Sequence, residues 1–135
     1  MKIFLKTIIG VLLVFNTAGA LYGGGNLILH PDGSSIQLSL DWIKNTPFHN
    51  YLIPGIILFL VNGLFGVFVI TIMIINHTRY SFWVVAQGFL LLAWIVIQIM
   101  LIQTVYFLHF IMAGVGFLLM LFGWISSQLS FKMKL

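Results

Sequence analysis

Few side chains in this sequence can do chemistry, and most of those that can are amides. Asn16, Asn62, Gln87, Gln98 and Gln103 all fall inside apolar runs, with His109 nearby. An unpaired amide in hydrocarbon is costly, so these groups are expected to face inward and bond to one another or to backbone. Gln87, Trp94 and Gln98 are spaced by seven and four residues, which puts them on one helical face, and Trp83 extends it by a turn. Continued by Gln103 and His109, that face suits a pocket for a small polar or amphipathic ligand. The plainer use of the same residues is interhelical hydrogen bonding that fixes the packing, and the pocket is the sharper reading beside it.

The titratable groups lie elsewhere. His30, Asp32, Asp41 and His49 share one polar stretch, but their spacing matches no metal motif, and His30-Pro31-Asp32-Gly33 is accounted for as a turn. No metal site and no cofactor are expected. Gly23-Gly24-Gly25 lacks the following helix and lysine of a phosphate loop and is expected to end a helix. Without cysteine there is no disulfide, thiol relay or thiolate metal site. No Asp, Glu, Lys or Arg lies deep in an apolar run, which argues against a proton- or ion-driven transporter.

What must position these residues follows from composition. The 135 residues are 61% hydrophobic and 6% charged, against about 45–50% and about 25% in soluble domains. A mean hydropathy of +1.16 fits a chain whose surface faces lipid. The net charge of +4 is too small for a nucleic-acid footprint and serves instead to orient the chain in a bilayer. A spanning helix needs about 20 apolar residues. The charges delimit spans at about 3–22 and 52–75 with an external loop at 23–51, and the uncharged stretch from Tyr80 to Phe131, too long for one crossing, divides into spans at about 81–103 and 106–126 with a reversal near Gln103-Thr104-Val105. The fold class expected is an all-α membrane protein, a single antiparallel four-helix bundle. Lys2, Lys6, Arg79, Lys132 and Lys134 mark one side and Lys44 the other, so both termini are expected to be cytoplasmic. Lys2 and Lys6, the run Ile8 to Phe15, and Ala18-Gly19-Ala20 also fit a cleavable signal peptide. That alternative stays open.

The loop carries its own pattern. Asn26 to His30 and Ile36 to Leu40 look like strands joined by a Pro-Asp-Gly turn, which predicts a small extracytoplasmic β-hairpin capping the helices. Asp41 is placed to cap a short interfacial helix carrying Trp42. Gly23 to Gly25, Pro31 with Gly33, Pro47-Phe48 with Tyr51 and Pro54-Gly55, and Trp94 with Gln98 give the chain a resemblance to a family of small, uncharacterised bacterial four-helix membrane proteins. The resemblance implies a bacterial inner-membrane location and brings no activity with it. The layout is similar to that of claudin-like proteins by analogy alone, since their paired loop cysteines are missing.

The function expected is that of a non-enzymatic integral membrane protein that binds a partner protein or a lipid through its external loop and outer helix ends. Trp42, Phe48 and Tyr51 are the candidate interface. Besides the lipid bilayer, a membrane protein or a second copy is a possible partner; nucleic acid is not. The alternative is a small-molecule carrier or channel subunit with an amide-lined path along Gln87, Trp94, Gln98 and Gln103. An enzyme using His109 or His49 as base is a third reading.

Overall fold

The computed structural model describes residues 2–34, 43, 46–102 and 107–134. All regular structure among them is helical: α1 (Lys2–Leu29), α2 (Leu52–Leu58), a π-helical stretch (Phe59–Leu64), α3 (Phe65–Ile74), α4 (Tyr80–Ile102) and α5 (Phe107–Lys134). α2, the π-helical stretch and α3 run on as one rod. Four helical segments are long and apolar enough to cross a membrane: Ile3–Leu29, Leu52–Ile74, Tyr80–Met100 and His109–Leu129. Their outer faces are apolar too. Phe4, Phe15, Phe82, Phe89, Phe110, Phe117 and Trp124 are all exposed, an arrangement that suits lipid and not water.

The interior is assembled from Ile9 and Leu13 of α1, Val69 of α3, Val84 and Leu91 of α4, and Leu119 of α5. Helices meet where side chains are smallest. A Cβ on Gly24 would stand 2.8 Å from the Phe59 nitrogen and 2.9 Å from the Gly55 carbonyl oxygen, so α1 and α2 approach backbone to backbone. Contacts then run in opposite order along the two helices: Leu27 meets Gly55, Leu21 meets Gly63 and Thr17 meets Gly66. Between α4 and α5, Gly88 meets Gly116 and Val85 meets Gly123 in the same opposed order.

Polar ties close one end of the bundle. Asn76 ends α3 in the left-handed conformation (φ 58°), and the His77 N–H donates to the Ile72 carbonyl at 3.0 Å. The Lys6 ammonium donates to the Asn76 side-chain oxygen and lies over the Tyr80 ring. Ser126 of α5 is hydrogen-bonded to both Tyr80 (2.9 Å) and Ser81 (3.1 Å) of α4. α1, the α3–α4 turn, α4 and α5 are thereby joined at one level.

The first loop differs from the sequence expectation. Residues 26–29 are the last turn of α1 and not a strand, and the helix passes through Gly23-Gly24-Gly25 instead of ending there. Glycine weakens a helix in isolation, but here the missing side chains allow the close approach to α2, and packing outweighs propensity. Residues 26–29 therefore do not supply the first strand of the expected hairpin, and the loop between α1 and α2 begins near residue 30. Residues 36–40, Asp41 and Trp42 lie outside the described residues, as do residues 103–106 of the expected reversal. α5 also extends beyond the expected boundary at 126.

The Pro-Asp-Gly turn is present. Gly33 takes φ 79° and its N–H donates to the His30 carbonyl at 3.0 Å. The Ser34 N–H donates to the Asp32 carboxylate at 3.0 Å, and this bond, with one from the Ser34 hydroxyl, holds the Asp32 pKa below the usual carboxylate value. The Tyr51 N–H donates to the Pro31 carbonyl at 2.8 Å, tying the loop's two ends together. Leu27 of α1, Ile43 of the loop and Tyr51 at the entry to α2 are buried in a small apolar cluster, the loop cap, with Phe48 packed against it.

Candidate functional site: an apolar cavity with an amide at its deep end

α1 has a row of small residues on one face. Asn16, Gly19, Ala20 and Gly23 recur at helical spacing, and where they face α4 and α5 no side chains fill the space between the helices. What remains is a cavity of about 320 Å³, within the ordinary range for small-molecule sites. Leu91, Trp94, Ile95 and Gln98 of α4, His109 and Met112 of α5, and Leu58 of α2 complete its wall with Phe15 and Leu27. A Cβ on Gly19 would meet nothing within 4 Å, and both Gly19 and Phe15 are exposed, so the cavity opens sideways on the face where lipid would lie.

Polar groups sit at its two ends. Asn16 is the central residue of the span Ile3–Leu29, and Leu91 lies next to the centre of Tyr80–Met100. Gln98, His109 and Leu27 belong to the helix ends beside the loop cap. Leu27 lies eleven helical steps beyond Asn16 on α1, roughly 16 Å along a helix. The cavity is thus an elongated slot, largely apolar along its length, with Asn16 in its wall at mid-span and an amide plus imidazole at the end beside the loop. Among the described residues no Asp, Glu, Lys or Arg lines it.

Of the residues singled out from sequence, Trp94, Gln98 and His109 come together in this wall. Gln87 does not join them. Its side-chain NH2 donates to the Asn62 side-chain oxygen at 3.0 Å, and both residues are wholly buried. Trp83 does not line the cavity either; it packs edge-on against Phe65 and Phe68. Gln103 and Trp42 lie outside the described residues. Phe48 is half-buried and Tyr51 buried in the loop cap. No family model, curated protein or solved structure matches the chain. Among the described residues there is no cluster of three metal-ligating side chains.

Sequence reasoning missed the α1 wall. The signal was present, since Gly19, Ala20 and Gly23 share a face with Asn16, but those residues also fit a signal-peptidase site and a helix terminator. Both uses obscured the plainer one, a helical strip too small to fill the space opposite it.

Proposed function

We propose that this chain is a non-enzymatic protein of a bacterial cytoplasmic membrane, an antiparallel four-helix bundle that binds one lipid-like molecule in the slot between α1, α4 and α5. The observation that carries this reading is the slot itself, apolar along its length, open sideways near Gly19 and furnished with amides at both ends. A carrier or channel would need a polar path continuing past Asn16. The wholly buried Asn62–Gln87 pair lies apart from the cavity wall, which favours binding over conduction.

The bacterial location rests on the resemblance in sequence. Orientation rests on the basic residues: Lys2, Lys6, Arg79, Lys132 and Lys134 face the cytoplasm, and the Asp32 turn and the loop cap lie outside. With no native cysteine, single introduced thiols report sidedness cleanly. A membrane-impermeant maleimide added to intact cells is expected to label Ser34→Cys and to leave Thr78→Cys unmodified; both positions are exposed. The opposite pattern would invert the topology.

A neutral single-chain lipid carrying a diazirine at mid-chain tests binding directly. Irradiated in proteoliposomes, it is expected to mark Trp94, Met112 or both, read by peptide mass spectrometry. Gly19→Leu, which adds a side chain where there is open space, is expected to cut that labelling severalfold without unfolding the protein. Labels found only on outward residues such as Phe89 and Val96 would count against an occupied slot.

A further inference from the structure

The two ends of the slot are not alike. Asn16 is 1% exposed and its side-chain nitrogen is closed off by packing, so nothing in the slot can bond to that atom. Gln98 is half-buried, lines the slot and makes no side-chain hydrogen bond among the described residues. It stands two residues from the end of the span Tyr80–Met100, and His109, the first residue of the span His109–Leu129, lines the same end. Accessible polarity is thus concentrated at headgroup depth. One and two helical turns deeper on α4, the wall is Trp94 and Leu91.

We propose that the slot takes a single-chain lipid with a small, uncharged, hydroxyl-bearing head, held by the Gln98 amide with its chain running inward past Trp94 and Leu91. The inference rests on the slot being a ligand site, as proposed above, and adds the head chemistry and direction of its occupant. A volume of about 320 Å³ spread over roughly 16 Å has room for one hydrocarbon chain and not for two. A charged head is disfavoured, because among the described residues no Asp, Glu, Lys or Arg lines the slot to offset its desolvation. The amide carries both a donor and an acceptor, and a hydroxyl complements either. Direction follows from depth. A lipid of the adjoining leaflet already holds its head at this level and its chain inward, so it enters sideways near Gly19 without drawing a polar group through hydrocarbon.

Probes that share one chain and differ in the head test this. Dodecane, 1-dodecanol, dodecyl phosphate and dodecyltrimethylammonium are titrated into the protein in nanodiscs, each referred to its concentration in the bilayer. Binding is read from Trp94 fluorescence in a chain whose other tryptophans, Trp42, Trp83 and Trp124, are phenylalanine. The alcohol is expected to bind about threefold to tenfold more tightly than the alkane, the effect of one hydrogen bond, and more tightly than either ion. Gln98→Met, which keeps the length of a half-buried side chain, is expected to bring the alcohol down to the alkane and to leave the alkane unchanged. An alcohol preference that survives Gln98→Met, or tighter binding of either ion, overturns the proposal. Equal affinity of alcohol and alkane for the parent chain, with both weakened by Gly19→Leu, overturns it and leaves the slot a ligand site. No response to any probe, with Gly19→Leu indistinguishable from the parent, overturns the ligand site as well.

Discussion

Alanine at Gly88 is expected to destabilise the bundle by about 1–3 kcal/mol even though alanine is the better helix former. The added Cβ would stand 2.6 Å from the Gly116 carbonyl oxygen and 2.9 Å from the Met120 nitrogen. Both atoms belong to the backbone of α5, which no rotamer change can move aside. α4 and α5 must separate, and the Tyr80–Ser126 and Ser81–Ser126 bonds at one end of the same interface are strained with them. Gly114→Ala is the internal control. A Cβ there meets nothing within 4 Å, so only helix propensity acts, and that substitution is expected to be neutral or to stabilise by up to about 1 kcal/mol. Unfolding of the two variants in bicelles, followed by far-ultraviolet circular dichroism, measures the contrast. Similar curves for both would mean that the helices do not approach at Gly88.

The difference between those glycines also marks what sequence could reveal. Span two was legible because charges lie on both sides of it, and span three because Arg79 precedes it and the 52 uncharged residues that follow are too long for one crossing: the 52–75 and 81–103 expectations fall close to Leu52–Ile74 and Tyr80–Met100. The end of α1 was not. Gly23-Gly24-Gly25 has the composition of a terminator, and only the presence of Gly55 and the Phe59 backbone opposite Gly24 turns it into a packing surface. A residue distant in sequence decides the conformation, which local propensity cannot register. The Pro-Asp-Gly turn, by contrast, was read correctly because its cause is local, a positive φ at Gly33 that glycine adopts freely. Within the site, helical spacing placed Trp94 and Gln98 on one face of α4. It placed Gln87 on that face too, although Gln87 turns to Asn62 on the neighbouring helix. Periodicity groups residues by direction along one helix and says nothing of which neighbour each meets.

The Asn62–Gln87 pair makes the other large prediction. Asn62 lies in the π-helical stretch, and its side-chain oxygen accepts from Gln87 Nε2 at 3.0 Å; the remaining Asn62 Nδ2 and Gln87 Oε1 are buried with no partner. Asn62→Leu removes the acceptor and leaves both polar atoms of Gln87 unsatisfied in the core. A cost of about 1–3 kcal/mol is expected for each group so orphaned, tempered by the smaller couplings of about 0.6–1.7 kcal/mol found between membrane helices. The double variant Asn62→Leu, Gln87→Met carries no side-chain hydrogen-bonding group at either position. Because the native pair already leaves two polar atoms unsatisfied, replacing both residues with apolar ones of similar size is expected to restore stability to the native level or above. Unfolding of the two single variants and the double variant, compared with the native chain, gives the coupling directly. A double variant less stable than either single one would mean that the two amides serve the fold through partners other than each other. A double variant as stable as the native chain would show that the pair does not hold the bundle together.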